Sequence, residues 1–332
     1  MKNYAFSEVR VRSRISEAEI ERVKGQIIKE HDIDLVMRGP TILYRADGKL
    51  LAKYLPGALL GDSLLDDVHQ TLYEVSKGTT DNRGLASGYQ RAKTKGSATR
   101  TRTPHVSSSI IGSFDPQPPR RYCRLTAFSG RELDRWQGLF PLFQRINGYF
   151  KKYVPERYSN QEGFANRTHP DWRIADTVFT TVTVNRSYPT GVHTDSGDLD
   201  EGFSTLAVLR RGSYTGGTFA IVAHRIGVDM QHGDLLLMDA HEWHGNTAMF
   251  CSVCGEGMGA AEYFPDHTAC DTERISVVSY YRSKMAVCGS ADEEAVKARD
   301  WAEHRIDINA QQLSDEQAIQ ARELAEMAAE AG

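Results

Sequence analysis

The sequence predicts a mixed α+β protein in which a jelly-roll core of short strands is flanked by helices. Three observations carry this expectation. Between residues 176 and 288 the segments TVFTTVTVN, GFSTLAVLRR, GTFAIVAH, DLLLMDA and RISVVSYYR have strand texture and are punctuated by glycine turns. Helical periodicity is confined to the stretches before and after them. The chain of 332 residues is 40% hydrophobic and 25% charged, enough apolar material for a substantial core, and it shows no internal repeat.

Taken in order, SEAEIERVKGQIIKE (16–30) opens with a capping box, Ser16 and Glu19, and sets Ile20, Val23, Ile27 and Ile28 on one helical face. TILYRADGKLLAKYLP reads as a hairpin that turns at Asp47-Gly48, and DSLLDDVHQTLYEVSK as a second helix. These elements form an N-terminal block, 1–80, expected to pack on the core. Residues 80–120 lose periodicity and fill with Gly, Ser, Thr, Pro and basic side chains, so 81–125 is expected to be a basic loop. A helix then starts at a capping box of Ser129 and Glu132. It buries Trp136, Leu139, Phe140, Phe143, Ile146 and Phe150, and Pro141 should kink or split it. The strand core is expected over 126–290, with a cysteine-rich insert at 250–272. Capping boxes at Ser290/Glu293 and Ser314/Gln317 start acidic helices over 291–332.

The net charge of −4 conceals an asymmetry. From Arg83 to Arg124 there are nine Lys/Arg and one acid, whereas the tail from Ala291 holds eleven Asp/Glu and four Lys/Arg. A basic stretch in an acidic protein suggests a polyanion-facing surface; the alternative is a solvated, mobile loop. The N-terminus has no apolar stretch long enough for a signal peptide, and no run approaches the roughly 20 apolar residues of a membrane span. Five cysteines do not resemble a secreted disulfide framework, so a cytoplasmic or nucleoid/nuclear location is expected, neither membrane-bound nor secreted. His169, His224 and His232 read as surface or turn histidines, and Cys123 and Cys288 receive no functional role.

The segment TGVHTDSGD (190–198) raises the chemical question. In a strand, residues two apart share a face, so His193 and Asp195 present an imidazole and a carboxylate together: a polar patch facing water, or two-thirds of a metal site. A third ligand is on offer in HGDLLLMDAHEWHGNT, where His232, His241 and His244 surround a buried strand. His244 is preferred and His241 is its rival. Two histidines and one carboxylate hold Fe(II) on one face and leave positions open, although zinc accepts the same ligand types. On RISVVSYYR, Arg274 and Ser276 share a face, and a guanidinium beside a hydroxyl suits the grip on a diacid such as 2-oxoglutarate. A structural ion pair is the competing explanation for Arg274.

The order H-x-D, Gly-Gly turn, Gly-Asp strand, His, R-x-S resembles the double-stranded β-helix oxygenases that depend on Fe(II) and 2-oxoglutarate. Within them, TVTVNRSYPTGVHTDSGDLDEGFSTLAVLRRGSYTGG, DLLLMDAHEWHGNT and RISVVSYYR look like the TET/JBP group, which oxidises the 5-methyl group of pyrimidines in nucleic acid. The likeness spans about residues 176–285 and is weaker in YRADGKLLAKYLPGALL. It implies a double-stranded β-helix (jelly-roll) core and iron on His193, Asp195 and His244. It further implies 2-oxoglutarate on Arg274 and Ser276, consumption of O2, and hydroxylation, because the carboxylate Asp195 is present. Asp198 matches a position that contacts the base in some members, where a carboxylate can accept from cytosine N4; a turn-forming Asp beside Gly197 is the alternative. The base must be flipped out of a duplex or single-stranded to reach the metal. The basic stretch, with Arg100, Arg102, Tyr89 and Tyr122, is the candidate for DNA contacts. The base expected is 5-methylcytosine ahead of thymine.

Between His244 and Arg274 the chain departs from that pattern with CSVCGEGMGAAEYFPDHTAC. Cys251, Cys254, His267 and Cys270 have ligand types and spacing suited to a structural zinc site, against the alternative of thiols in a loop. Two functions compete with the DNA-base oxygenase. One is a 2-oxoglutarate oxygenase of a protein side chain or small molecule; the other is a non-catalytic cupin-like binding module.

Overall fold

The computed structural model describes residues 1–80, 83–87, 105–118, 120–258 and 270–304. Among them a ten-stranded sheet forms the largest layer. Its main path runs Ser7–Val11, Thr41–Arg45, Leu50–Leu55, Leu235–Met238, Ser204–Arg211, Glu273–Tyr280, Thr181–Arg186 and Val106–Phe114, with Thr79–Thr80 at the far edge. A four-stranded sheet, ordered His244–Asn246, Phe219–Ile221, Ile226–Val228 and Leu35–Met37, lies opposite. Three short strands, Tyr214–Gly216, Met249–Cys251 and Gly257–Met258, make a third sheet. The layers match the jelly-roll arrangement expected.

The alternation of side chains decides which face meets what. From the central strands, Val182, Val184, Leu209, Leu235, Leu237, Ile275 and Val277 point to one side. There they pack against Leu65, Val68 and Leu72 of helix Leu64–Val75 and against Phe143, Ile146 and Phe150 of helix Phe140–Tyr153. The intervening residues Leu206, Val208, Leu236 and Met238 face the small sheet and meet Phe219, Ile221, Ile226 and Val228. The strands Ser204–Arg211 and Leu235–Met238 are therefore apolar on both faces, a sandwiched layer rather than a half-wetted one. Where apolar residues give way to Thr183, Asn185, Arg274 and Ser276, the space between the sheets opens into a cavity.

Several local expectations hold. Ser16 and Glu19 form the predicted capping box, the Thr41–Leu55 hairpin turns with Gly48 at φ 92°, and Pro141 lies in the first turn of the helix starting at Phe140. Ser290 and Glu293 cap the C-terminal helix reciprocally. Ser314, Gln317, Tyr89, Arg100, Arg102 and His267 lie outside the described residues.

Other expectations are corrected. The first helix is only Glu17–Val23, because the chain leaves it at Lys24 to make single bridges from Lys24 to Val192 and from Ile28 to Thr247. The supposed loop contains a nine-residue strand, Val106–Phe114, paired with Thr181–Arg186; its serines disguise it, and Ser108 and Ser113 are buried with hydrogen-bond partners. Ser129 is not a cap. Thr126 caps helix Ala127–Arg131, and the Ser129 hydroxyl accepts from the Gly112 N–H. Helix Pro155–Arg167 is an element that the sequence pattern does not predict. His224 is buried, not at the surface. Cys123 and Cys288 are joined in a disulfide that closes a separation of 165 residues. No described helix is long and apolar enough to cross a membrane.

Candidate active site

The first ligand segment is placed by backbone, not by a continuous strand. Strand Thr181–Arg186 ends before it, and Ser187 turns the chain at φ 50°. The chain then threads between two others at Gly191, where a Cβ would lie 2.6 Å from the Gly25 carbonyl oxygen and 2.7 Å from that of Leu85. Two residues on, His193 meets His244 in an isolated antiparallel bridge, and the Asp195 N–H donates to the Ala240 carbonyl at 3.0 Å. Thus the H-x-D pair and the later histidine are fixed to one another by the main chain.

The side chains converge on one point. His193 Nε2 lies 3.6 Å from Asp195 Oδ1, and His244 Nε2 lies 3.6 Å from Asp195 Oδ2. One ligand atom from each residue falls within 4.8 Å of the other two. Each imidazole points its other nitrogen at a carbonyl: His193 Nδ1 is 2.8 Å from Gly191 O, and His244 Nδ1 is 2.8 Å from Glu242 O. A carbonyl only accepts, so both rings carry hydrogen on Nδ1 and turn Nε2 inward, the usual outer-shell device at metal-bound histidines. Burial, then the neighbouring His244, holds the His193 imidazole down to about 4, so it is neutral and ready to ligate near neutral pH. This is a metal-binding triad of two imidazoles and one carboxylate.

His241, the rival, is engaged elsewhere: its Nδ1 lies 3.2 Å from Asp239 and its Nε2 2.9 Å from Asp200. His232 Nδ1 accepts the Arg210 N–H at 3.1 Å.

The triad lines a cavity of about 400 Å³ that also receives Arg274 and Ser276. Strand parity brings them there, since Ile275 and Val277 face the helices. Arg274 is 4% exposed, and its Nη2 has no hydrogen-bond partner among the described residues. Burial pushes the pKa of this guanidinium down. A buried donor without an acceptor costs about 1–3 kcal/mol, so the position is suited to an acceptor in the cavity. Arg282 does not compete for that role, because its Nε donates to Asp115 Oδ1 at 2.7 Å and both side chains are buried. The structural ion pair considered for Arg274 belongs instead to Arg282.

Asp198 sits on the same cavity wall, 8% exposed, and its carboxylate accepts from the Ser204 hydroxyl. Burial, and then the Asp195 carboxylate, push its pKa well above the ordinary range.

Arg83 is in sequence only one basic residue among many, yet it lines this cavity with a buried Nε that has no described partner. It also lines an adjoining groove of about 410 Å³ with Arg120 and Arg124. Arg124 stacks on Phe114 and Tyr122, and Arg120 on Trp301. Sequence reading misses Arg83 because its segment lacks periodicity.

Cys251, Cys254 and Cys270 also converge, with sulfurs 3.2 Å (251–270) and 3.8 Å (254–270) apart.

Residues 113–283 match the Tet_JBP model, the oxygenase domain of the 2OGFeDO superfamily. Over 294 residues the chain is 27% identical to thymine dioxygenase JBP1 of Trypanosoma brucei brucei (strain 927/4 GUTat10.1), covering 85% of this chain and 31% of that protein. It is 32% identical over 278 residues to thymine dioxygenase JBP1-A of Trypanosoma cruzi (strain CL Brener), covering 80% of this chain and 29% of the other. The chain thus spans about a third of the length of these curated relatives. A solved structure of NgTET1 in complex with 5mC DNA superposes with a TM-score of 0.53 at 14% identity, covering 86% of this chain and all of that one, and so shares the fold.

Proposed function

The chain belongs to the TET/JBP family of Fe(II)/2-oxoglutarate-dependent oxygenases, and from that premise we propose that it hydroxylates the 5-methyl group of a pyrimidine base in DNA. One observation supports the reading most: the buried Nη2 of Arg274, without a hydrogen-bond partner among the described residues, opens on the same cavity as the His193–Asp195–His244 cluster. A metal and a small diacid together supply what those groups lack.

The donor set suits Fe(II), with two imidazoles and one carboxylate leaving open positions. Bound there with 2-oxoglutarate and O2, iron supplies oxidation of a C–H bond coupled to decarboxylation of the diacid to succinate. The protein's own groups do the rest. Arg274 and Ser276 hold the distal carboxylate by a charge-assisted bond inside the barrel. The Nδ1–carbonyl bonds at Gly191 and Glu242 keep both rings from turning.

Asp198 lies on the cavity wall, and we assign it the reading of an extruded base, because a carboxyl oxygen there can accept from the exocyclic amine of 5-methylcytosine. We therefore place 5-methylcytosine first. Thymine is the second reading, favoured by the curated relatives, which are thymine dioxygenases. The groove of Arg83, Arg120 and Arg124 beside the cavity suits the phosphates of a flipped or single-stranded substrate. That groove favours DNA over a protein side chain or small molecule. Acting on DNA puts the protein in the cytoplasm, the nucleoid or the nucleus.

The test is succinate release with Fe(II), 2-oxoglutarate and O2 in the presence of 5-methylcytosine DNA, thymine DNA, RNA or no polymer. Stimulation by 5-methylcytosine DNA above the other arms is expected. Turnover insensitive to every polymer would overturn the DNA reading.

A further inference from the structure

The three cysteines of the insert lie outside the cavity and take no part in the chemistry above. Cys251 ends strand Met249–Cys251, Cys254 follows in the turn to strand Gly257–Met258, and Cys270 lies just before strand Glu273–Tyr280. Their sulfurs meet although the first two and the third come from separate segments.

The local backbone is built for a thiolate. Gly255 adopts φ 75°, which folds the turn so that its N–H donates to the Cys251 carbonyl at 3.0 Å. The Val253 N–H then points at Cys251 Sγ at 3.4 Å, and a donor aimed at sulfur favours the charged form. The apolar support is small: Tyr214, Met249, Cys251 and Met258, with Cys270 against them. A hairpin of so few strand residues needs a staple to hold its place.

A disulfide would join only two of the three, whereas a tetrahedral ion with Zn–S of about 2.3 Å sets its sulfurs about 3.8 Å apart. The Cys254–Cys270 separation is 3.8 Å, and the Cys251–Cys270 separation of 3.2 Å, though shorter, is well beyond the roughly 2.0 Å of an S–S bond. We propose that Cys251, Cys254 and Cys270 bind a zinc ion that clamps this hairpin onto the start of the Arg274 strand. Cys251 pairs in register with Tyr214, and Tyr214 lies beside the Arg274 guanidinium. The clamp thereby stiffens the wall behind the arginine read above as the diacid anchor. That consequence rests on the functional reading; the metal itself does not.

The full chain, purified without chelator, is assayed for zinc by mass spectrometry, with zinc affinity measured by competition against a chromophoric chelator. About one zinc per chain is expected in the wild type and equally in Asp195→Ala, which separates this site from the iron triad. Cys254→Ser alters an exposed side chain and should keep the fold; its zinc affinity is expected to fall at least tenfold, with Cys270→Ser as the second variant. On chelation, amide exchange across residues 249–258 should accelerate. Zinc-free wild type, a Cys251–Cys270 disulfide found by peptide mapping, unchanged affinity in both variants, or unchanged exchange would each overturn the proposal.

Discussion

His193 and His244 form a two-way backbone bridge, each N–H donating to the other's carbonyl oxygen at 2.9 Å. The ligands are therefore set by main-chain pairing and not by the metal. In consequence, removing a ligand side chain leaves the frame standing. His193→Ala and Asp195→Ala are expected to lose methyl oxidation to below about 1% of wild type. Their melting temperatures should move by no more than about 2–4 °C, the equivalent of roughly 1 kcal/mol for a large domain. Calorimetry beside the activity assay checks this; gross unfolding of either variant would show that the side chains, not the bridge, hold the site.

The two buried arginines, Arg274 near the start of strand Glu273–Tyr280 and Arg282 just beyond its end, should respond differently. Arg274→Ala removes a buried donor that has no acceptor at Nη2 among the described residues, and is expected to raise the 2-oxoglutarate requirement at least tenfold with DNA affinity unchanged. Arg282→Ala strands the buried Asp115 carboxylate and should cost about 3–5 kcal/mol of stability. Cosubstrate titration and denaturant melts distinguish them. A 2-oxoglutarate effect in Arg282→Ala alone would reverse the assignment.

Gly191 tests how the threading of the chain sets the ligands. Its Cβ would fall 2.6 Å from one carbonyl oxygen and 2.7 Å from another, both main-chain atoms that cannot swing aside. Gly191→Ala is expected to destabilise by about 1–3 kcal/mol and to weaken metal binding, because the carbonyl that orients His193 must shift. Wild-type stability and metal affinity in this variant would show that the segment has slack.

What is legible in the sequence follows from what repeats at short range. The H-x-D pair, the later histidine and R-x-S are local patterns, and they follow or lie on strands whose apolar texture is plain in the sequence. The strand Val106–Phe114 is not legible because SSSIIGSF masks a buried strand with hydroxyls that find partners only in the folded state. Helix Pro155–Arg167 escapes notice because it is polar, burying only Tyr158, Gln161 and Ala165. Pairing of Cys123 with Cys288 is a long-range contact that spacing cannot reveal. The choice of His244 over His241 needs geometry, since both follow the same strand and only His241 is drawn off by Asp239 and Asp200.

The basic groove makes a quantitative prediction about salt. Replacing Arg120 and Arg124 by alanine is expected to lower the slope of log affinity against log salt by about 2, one for each phosphate no longer neutralised. The double variant Arg100→Ala/Arg102→Ala should do the same if the basic stretch carries DNA as the sequence suggests. Binding measured from low to moderate salt decides it; slopes equal to wild type would exclude these arginines from the interface.

The most direct measurement is an anaerobic titration of the metal-free protein with Fe(II) and 2-oxoglutarate, read by the visible charge-transfer band of the ferrous 2-oxoacid chelate. One equivalent of iron should develop the band in the wild type. It should be absent from His193→Ala, Asp195→Ala and His244→Ala, and shifted to higher 2-oxoglutarate concentration in Arg274→Ala. A full-strength band in any of the three triad variants would contradict the claim that these side chains share one ion.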